Sequence, residues 1–292
     1  MALRLEAFDV YESLPMPTPQ LEDWRRTDLR RLKLDDFGPS VNGDAGADAT
    51  IPDYLGKQLT TDEAGGNMLQ VDGVVKALTL SDGLKAQGVI FCDMHTAVAQ
   101  YPDLVQKHFM TEGVRIDEGK FAALHGAFWR GGTFLYVPKN VKAAAPLHSV
   151  LWVENGKTFT HTLVIVEESA EVIFMDEYAS ANGQQAGIHN GVIELLVRDN
   201  ASLIYAGLQD FGANMWQFNH ERGRVGRDGK LDWVTSMMGT RLTKAFQTME
   251  LDRPGAWGRM SGIFFTNGRQ HLDLDTQQNH NAEDTTSDLL YK

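Results

Sequence analysis

The chain has 292 residues, 42% of them hydrophobic and 9% aromatic, so it can bury a full core and lies far from the composition of a disordered protein. Its 27 basic and 39 acidic residues leave a formal charge of −12, which repels nucleic acid and anionic membranes and speaks against non-specific binding to either. No stretch approaches the roughly 18 consecutive apolar residues a membrane span needs, and Glu6 and Asp9 stand where a secretion signal would have its apolar centre, so the expected setting is the cytoplasm.

Residues 1–37 mix apolar and charged side chains, and Pro15, Pro17 and Pro19 mark an extended segment. Residues 38–50, with the run Asn42-Gly-Asp-Ala-Gly-Ala-Asp-Ala49, have little to bury and read as a flexible linker. Between Met68 and Leu80 two short strands flank Asp72-Gly73, a hairpin turn pair. Cys92, the only cysteine, falls in Val89-Ile-Phe-Cys92, a context of core packing, and a single cysteine excludes an intramolecular disulfide. Pro102 to Met110 carries Leu104, Val105, His108 and Phe109 at helical spacing behind a proline suited to a first turn. Together these make a smaller α/β region over residues 1–120.

From Phe121 to Lys292 no helical stripe of useful length is expected, and a seven-residue pattern recurs instead. An apolar residue is followed by three polar or turn-forming ones, a small residue, any residue and a large apolar one. It begins at Val166, Val197, Val225 and Leu251, reading Val166-Glu-Glu-Ser-Ala170-Glu-Val172 and, last, Leu251-Asp-Arg-Pro-Gly255-Ala-Trp257. The first residues are 31, 28 and 26 apart, with a weaker copy 29 residues upstream at Val137-Pro-Lys-Asn-Val141. Strand, tight turn, strand at this interval is one coil of a stacked array, too short for a four-stranded propeller blade of roughly 40 residues or more. The predicted fold is mainly β, a right-handed parallel β-helix over residues 121–292 behind the α/β region.

Three segments carry a more specific signal: Glu22-Asp-Trp24-Arg-Arg-Thr27-Asp-Leu29, Gln209-Asp-Phe-Gly212, and the stretch from His271-Leu-Asp273-Leu-Asp275-Thr-Gln277 through His280 to Ser287-Asp. In order and spacing they resemble the SufB/SufD family of iron–sulfur cluster assembly proteins, from about Pro15 to Lys292, and within it the SufD type. The resemblance implies a scaffold role. Such proteins pair with a SufB-like paralogue through their β-helices and join the ATPase SufC in building clusters from iron and sulfide. An iron–sulfur cluster usually takes four thiolate ligands, which Cys92 alone cannot supply, so a cluster is expected only in the assembled complex. No GxxxxGK[ST] phosphate loop is present, since Gly226-Arg-Asp-Gly229-Lys230-Leu231 has the wrong spacing and reads as a turn. The chain is therefore expected not to be an enzyme, with ATP hydrolysis left to the partner, and no catalytic, cofactor or metal residue is carried over from the family. Family members continue with the end of the β-helix and a helical region that docks SufC. This sequence stops after an apparent strand, Asp288-Leu-Leu-Tyr291, which suggests a truncated chain or an end covered by a second copy, a homodimer through β-helix edges.

The residue-level candidates are few. Strand alternation places His271, Asp273, Asp275 and Gln277 on one face, with Leu272 and Leu274 on the other. With His280 they could hold a metal, although a polar strand face is more commonly solvated or laddered by hydrogen bonds. His148, His161, His189 and His220 are expected at strand ends and turns, hydrogen-bonded or exposed. Arg25, Arg26, Arg30, Arg31 and Lys33 beside Trp24 could grip an acidic partner or RNA, but ion pairs with Glu22, Asp23, Asp28, Asp35 and Asp36 are the expected outcome, with no nucleic acid bound. Two other functions remain open: a stand-alone β-solenoid that binds protein, and a β-helix carbohydrate-active enzyme, for which Asp273 and Asp275 are the obvious carboxylates.

Overall fold

The computed structural model describes residues 1–34, 51–53, 55, 64–154, 156–183 and 186–292. The linker expected at 38–50 lies outside the described residues.

Six coils, each contributing two strands, stack into a parallel β-solenoid. The first coil is β4 (Thr133–Val137) and β5 (Leu147–Val153). Next come β7 (His161–Val166) with β8 (Glu171–Ser180), β9 (Gly187–Val197) with β10 (Ser202–Phe211), and β11 (Met215–Val225) with β12 (Lys230–Gly239). The last two are β13 (Leu242–Leu251) with β14 (Trp257–Phe265), and β15 (His271–His280) with β16 (Thr286–Tyr291). A two-residue strand, β6 (Lys157–Thr158), pairs with β9. The even-numbered strands from β8 onward, with β5, form one parallel sheet; β4, β7 and the odd-numbered strands from β9 onward form the facing one.

The recurring sequence pattern is the corner between the two sheets. Val137, Val166, Val197, Val225 and Leu251 end their strands with side chains in a common core, and Val141, Ala170 and Ala201 fill the inside of the corner. At each corner one residue takes a left-handed conformation: Asn140 (φ 65°), Ser169 (62°), Asn200 (57°), Asp228 (52°), Gly255 (76°) and Asp284 (58°). Asn, Asp and Gly tolerate that region best, which is why the corners are polar in the sequence. The N–H groups of Asn140, Ser169, Asn200 and Asp228 donate to the next corner's carbonyls at Glu168, Asp199, Arg227 and Pro254, at 2.7–3.1 Å, so the turns themselves form a ladder.

The fourth copy of the pattern is one residue longer than it reads. Trp257 pairs with Lys230, not Leu231, so Ala256 rather than Gly255 fills the corner and Trp257 points outward, half-buried. Gly258 takes the inward place, where an added Cβ would lie 2.0 Å from the Met249 sulfur, so Met249 occupies the volume a larger side chain would need. Beyond the corner the interior continues as a stack in register, Phe174, Tyr205, Trp233 and Met260, all buried.

The N-terminal region is built onto this solenoid. The hairpin of β1 (Gly66–Val71) and β2 (Val74–Leu80) turns at Asp72 and Gly73 as predicted, with both residues at positive φ, and β1 joins β5 in parallel. β3 (Ile90–Asp93) pairs antiparallel with β4 and ends the other sheet. The helices include α1 (Ala2–Ser13), α2 (Asp82–Ala86), α3 (Met94–Gln100), α4 (Pro102–His108) and α5 (Lys120–Phe128). Only α4 was expected. Contrary to the expected unbroken β run from Phe121, α5 occupies its first residues, and the first solenoid strand begins at Thr133. Its sequence Phe-Ala-Ala-Leu-His-Gly-Ala-Phe has no polar stripe because it is buried nearly all round, so the 3.6-residue period is absent. Among the described residues no helix is long and apolar enough to cross a membrane.

The corner ladder yields a prediction. Ser169 is the non-Gly corner residue least suited to positive φ, so Ser169→Val should cost about 1–2 kcal/mol in urea unfolding. Ser169→Asn should leave the midpoint unchanged or raise it slightly.

Candidate functional site

The helical region covers the outer face of the β7/β9/β11/β13 sheet, and two polar clusters join the two bodies. The first unites the two motifs singled out from opposite ends of the sequence. Trp24, in a single 3₁₀ turn at Glu22–Trp24, stacks on Phe121 of α5 and packs against Phe218 and Phe246, with ring centroids at 5.5, 6.3 and 5.8 Å. Three residues later, the Thr27 hydroxyl donates to Asp273 Oδ2. The other oxygen of Asp273 lies 3.2 Å from Lys244 Nζ. Lys244 is one of the most deeply buried side chains, at 2% exposure, with its ammonium 4.6 Å from the Phe246 ring centroid. A buried ammonium needs a counter-charge and benefits from an aromatic face, and Asp273 and Phe246 supply them.

Asp273 is therefore engaged as a clasp. His271, Asp273, Asp275 and Gln277 do share the outer face, since each pairs with an outward residue of β13, but His280 pairs with the core residue Leu251 on the opposite face and cannot join them. His280 instead meets the Thr285 and Ser287 hydroxyls across its own corner, at 2.6 and 2.9 Å. Among the described residues no group of three His, Cys, Asp or Glu side chains is arranged to hold a metal ion. Cys92 is buried in the cluster between α3 and β4, and burial pushes its thiol up to about 12, so it is unreactive at neutral pH.

The second cluster was not expected. Of the histidines expected at strand ends and turns, His161 opens β7 and His148 is the second residue of β5, whereas His189 and His220 lie inside β9 and β11; all four are buried. His161 on β7 links α5 to β9: His125 Nδ1 lies 3.0 Å from the Asn190 carbonyl, His125 Nε2 3.1 Å from His161 Nδ1, and His161 Nε2 2.9 Å from Glu194 Oε2. Glu194 also accepts the backbone N–H groups of Met110 and Val114, at 2.9 and 3.0 Å, and so pins the loop after α4. All three side chains are fully buried.

Counting protons assigns the states. The chain has three links and ends on a carbonyl, which only accepts. Two neutral imidazoles supply two N–H groups, so the third proton must come from Glu194 or from a second proton on a histidine. Burial decides for the neutral arrangement: it raises Glu194 to about 8, against the opposing pull of the Met110 and Val114 N–H groups, and lowers His161 to about 3 and His125 well below its usual range. Protonated Glu194 donates to His161, which donates to His125, which donates to Asn190. The other histidines are placed singly. His189 meets the Thr160 hydroxyl at 3.0 Å, His148 meets Glu177 at 3.2 Å, and His220 stacks near Phe246 at 5.1 Å.

Residues 1–148 match the family described as SufBD protein N-terminal region, and residues 151–292 match the SufBD core domain of the SUF iron–sulfur cluster assembly system. The chain belongs to the SufB/SufD family. This member is 32% identical over 285 residues to the iron–sulfur cluster assembly protein SufD of Bacillus subtilis (strain 168), covering 95% of this chain and 64% of that protein. It is 28% identical to a SufBD family protein of Staphylococcus aureus (strain USA300), and 29% identical to one of Staphylococcus epidermidis, covering 99% of this chain and 63% of the relative in each case. The chain thus spans less than two thirds of the length of these relatives, and it belongs to the SufD-like side of the family. Its two family regions meet across both clasps.

Each clasp has a distinct signature. Asp273→Ala removes the counter-charge of buried Lys244 and should cost about 3–5 kcal/mol in urea unfolding, and should expose residues 1–34 to limited proteolysis before the solenoid. For Glu194, a folded-state pKa raised above the unfolded value means its contribution is full below about pH 4.5 and is lost as pH rises through about 8. The stability advantage of wild type over Glu194→Gln should therefore shrink from pH 5 to pH 8. A Glu194 ionised in the fold would make that advantage grow instead.

Proposed function

We propose that the chain is a scaffold subunit of iron–sulfur cluster assembly, acting in the cytoplasm with a SufB-like paralogue and a SufC-like ATPase and performing no catalysis of its own. The observation that carries this reading is the fusion of both family regions into one rigid platform. β1 and β3 continue the solenoid sheets, and the two clasps fasten α5, the loop after α4 and the Trp24 segment to the outer face.

Such a platform offers sheet edges and a fixed outer surface, and strand-to-strand pairing supplies main-chain hydrogen bonds without special side chains. That is a means of binding a similarly built paralogue, or a second copy of this chain. The chemistry of the chain supports a supporting role: its single cysteine is buried with a raised pKa and is one thiol where a cluster usually takes four ligands. The cluster is cargo of the assembled complex, and ATP hydrolysis belongs to the partner.

Affinity purification of the tagged complete gene product from its native host, with mass spectrometry of what accompanies it, tests the reading. Recovery of a P-loop ATPase and a cysteine-richer paralogue in constant ratio is the expected result, as is loss of iron–sulfur enzyme activities on depletion. Recovery of the protein alone, with those activities intact, would overturn it.

A further inference from the structure

One charged hollow lies outside the clasps. Arg241 stands in the turn between β12 and β13, and Arg269 in the turn between β14 and β15, one coil further on. The segment after Trp24 lays Arg26, Arg30 and Arg31 beside them, and His271 completes the wall of a hollow of about 550 Å³. Its lining sets five guanidinium groups against one carboxylate, Asp28, in a chain of charge −12. Arg30 takes both oxygens of Asp28, at 3.0 and 2.7 Å. Arg241 lies over the Trp216 ring, 5.0 Å from its centroid. Arg26 and Arg269 have no hydrogen bond or ion pair among the described residues, and Arg31 acts on Asp28 only at longer range; of the ion pairs expected for this cluster, Arg25 with Glu22 and Arg30 with Asp28 form, while Asp35 and Asp36 lie outside the described residues. His271 Nε2 is buried and without a hydrogen-bond partner.

Gathering five guanidinium groups around one carboxylate is costly, and a fork of guanidinium groups matches the oxygens of phosphate. We propose that this hollow binds a small polyvalent oxyanion, either the phosphate chain of a nucleotide or free pyrophosphate. Its volume lies in the range of small-ligand sites. Trp216, the one tryptophan, tyrosine or phenylalanine in the lining, is buried beneath Arg241 and leaves no face open for a base to stack on, so the phosphates carry the recognition. The net negative charge works against a long polyanion far more than a short one, because the Debye length of about 8 Å at physiological salt limits a small ion to the local field.

The test is calorimetric titration of the chain with sodium pyrophosphate, ATP and adenosine at about 0.1 M salt, where the Debye length is about 10 Å. Saturable binding of pyrophosphate near one per chain is expected, weakened at least tenfold by Arg26→Gln with Arg269→Gln. Neither residue has a hydrogen bond or ion pair to lose, so the fold should stand, and Arg253→Gln at a distant corner is the control. Equal affinity for ATP and pyrophosphate, with none for adenosine, identifies the phosphate chain as what is read; much tighter ATP binding identifies a nucleotide as the source. Absence of saturable binding, or binding indifferent to the double variant, overturns the proposal. So does tight binding of an acidic peptide that pyrophosphate does not displace, which would make the surface a protein contact.

Discussion

The structure rests on the stacking of its corners. At the first four corners the left-handed residue directs its N–H at the next corner's carbonyl, which sets the height of one coil upon another. With that height fixed, every strand residue has one neighbour above and one below, and the inward set falls into continuous stacks such as Phe174, Tyr205, Trp233 and Met260. The outward set is fixed by the same step. Lys244 lies beside Asp273, and His161 is carried level with Val192, within reach of Glu194 further along β9, because their strands run in register.

The two clasps solve the same problem in opposite ways. Both join the helical cover to the solenoid through polar groups that water barely reaches, where an unpaired charge is far costlier than a hydrogen bond. At Lys244 the ammonium meets the partly exposed Asp273 carboxylate, at 19%, and an aromatic ring flanks it. At Glu194 nothing is exposed and no fixed cation lies in contact, so the proton stays on the carboxyl and a chain of neutral donors results. One joint is ionic and edge-facing, the other neutral and central.

The solenoid was legible because corners repeat a φ requirement that few residue types meet, and because the inward stacks demand alternation. The hairpin at Asp72-Gly73 was legible for the same kind of reason. What failed was periodicity under complete burial: α5 carries apolar residues on every side and left no helical stripe. The burial of the histidines was not legible because β7 and β9 are covered on both faces, so a polar residue there marks no solvated side, even where, as at His161, it does open a strand. A signal was present in Ile193-Glu194-Leu195-Leu196, where a carboxylate interrupts an apolar run and so must be paired inside. The joining of Thr27 to Asp273, 246 residues apart, has no local signal at all; only the family resemblance marked both ends.

The pattern's spacing drifts between 26 and 31 residues without spoiling the fold mainly because the links from Ser180 to Gly187, Phe211 to Met215 and Gly239 to Leu242 differ in length, and the longer corner before Trp257 shows the same tolerance on the other side of the coil. A residue inserted within a strand would turn every following side chain inside out, whereas one inserted at a corner is taken up before pairing resumes. Strand interiors in this architecture are thus closed to changes of length, and corners are where evolution, or an engineer, can add and remove residues. Grafted loops, epitopes or reporter groups belong at such turns, where each coil can be lengthened independently of the coils above and below it.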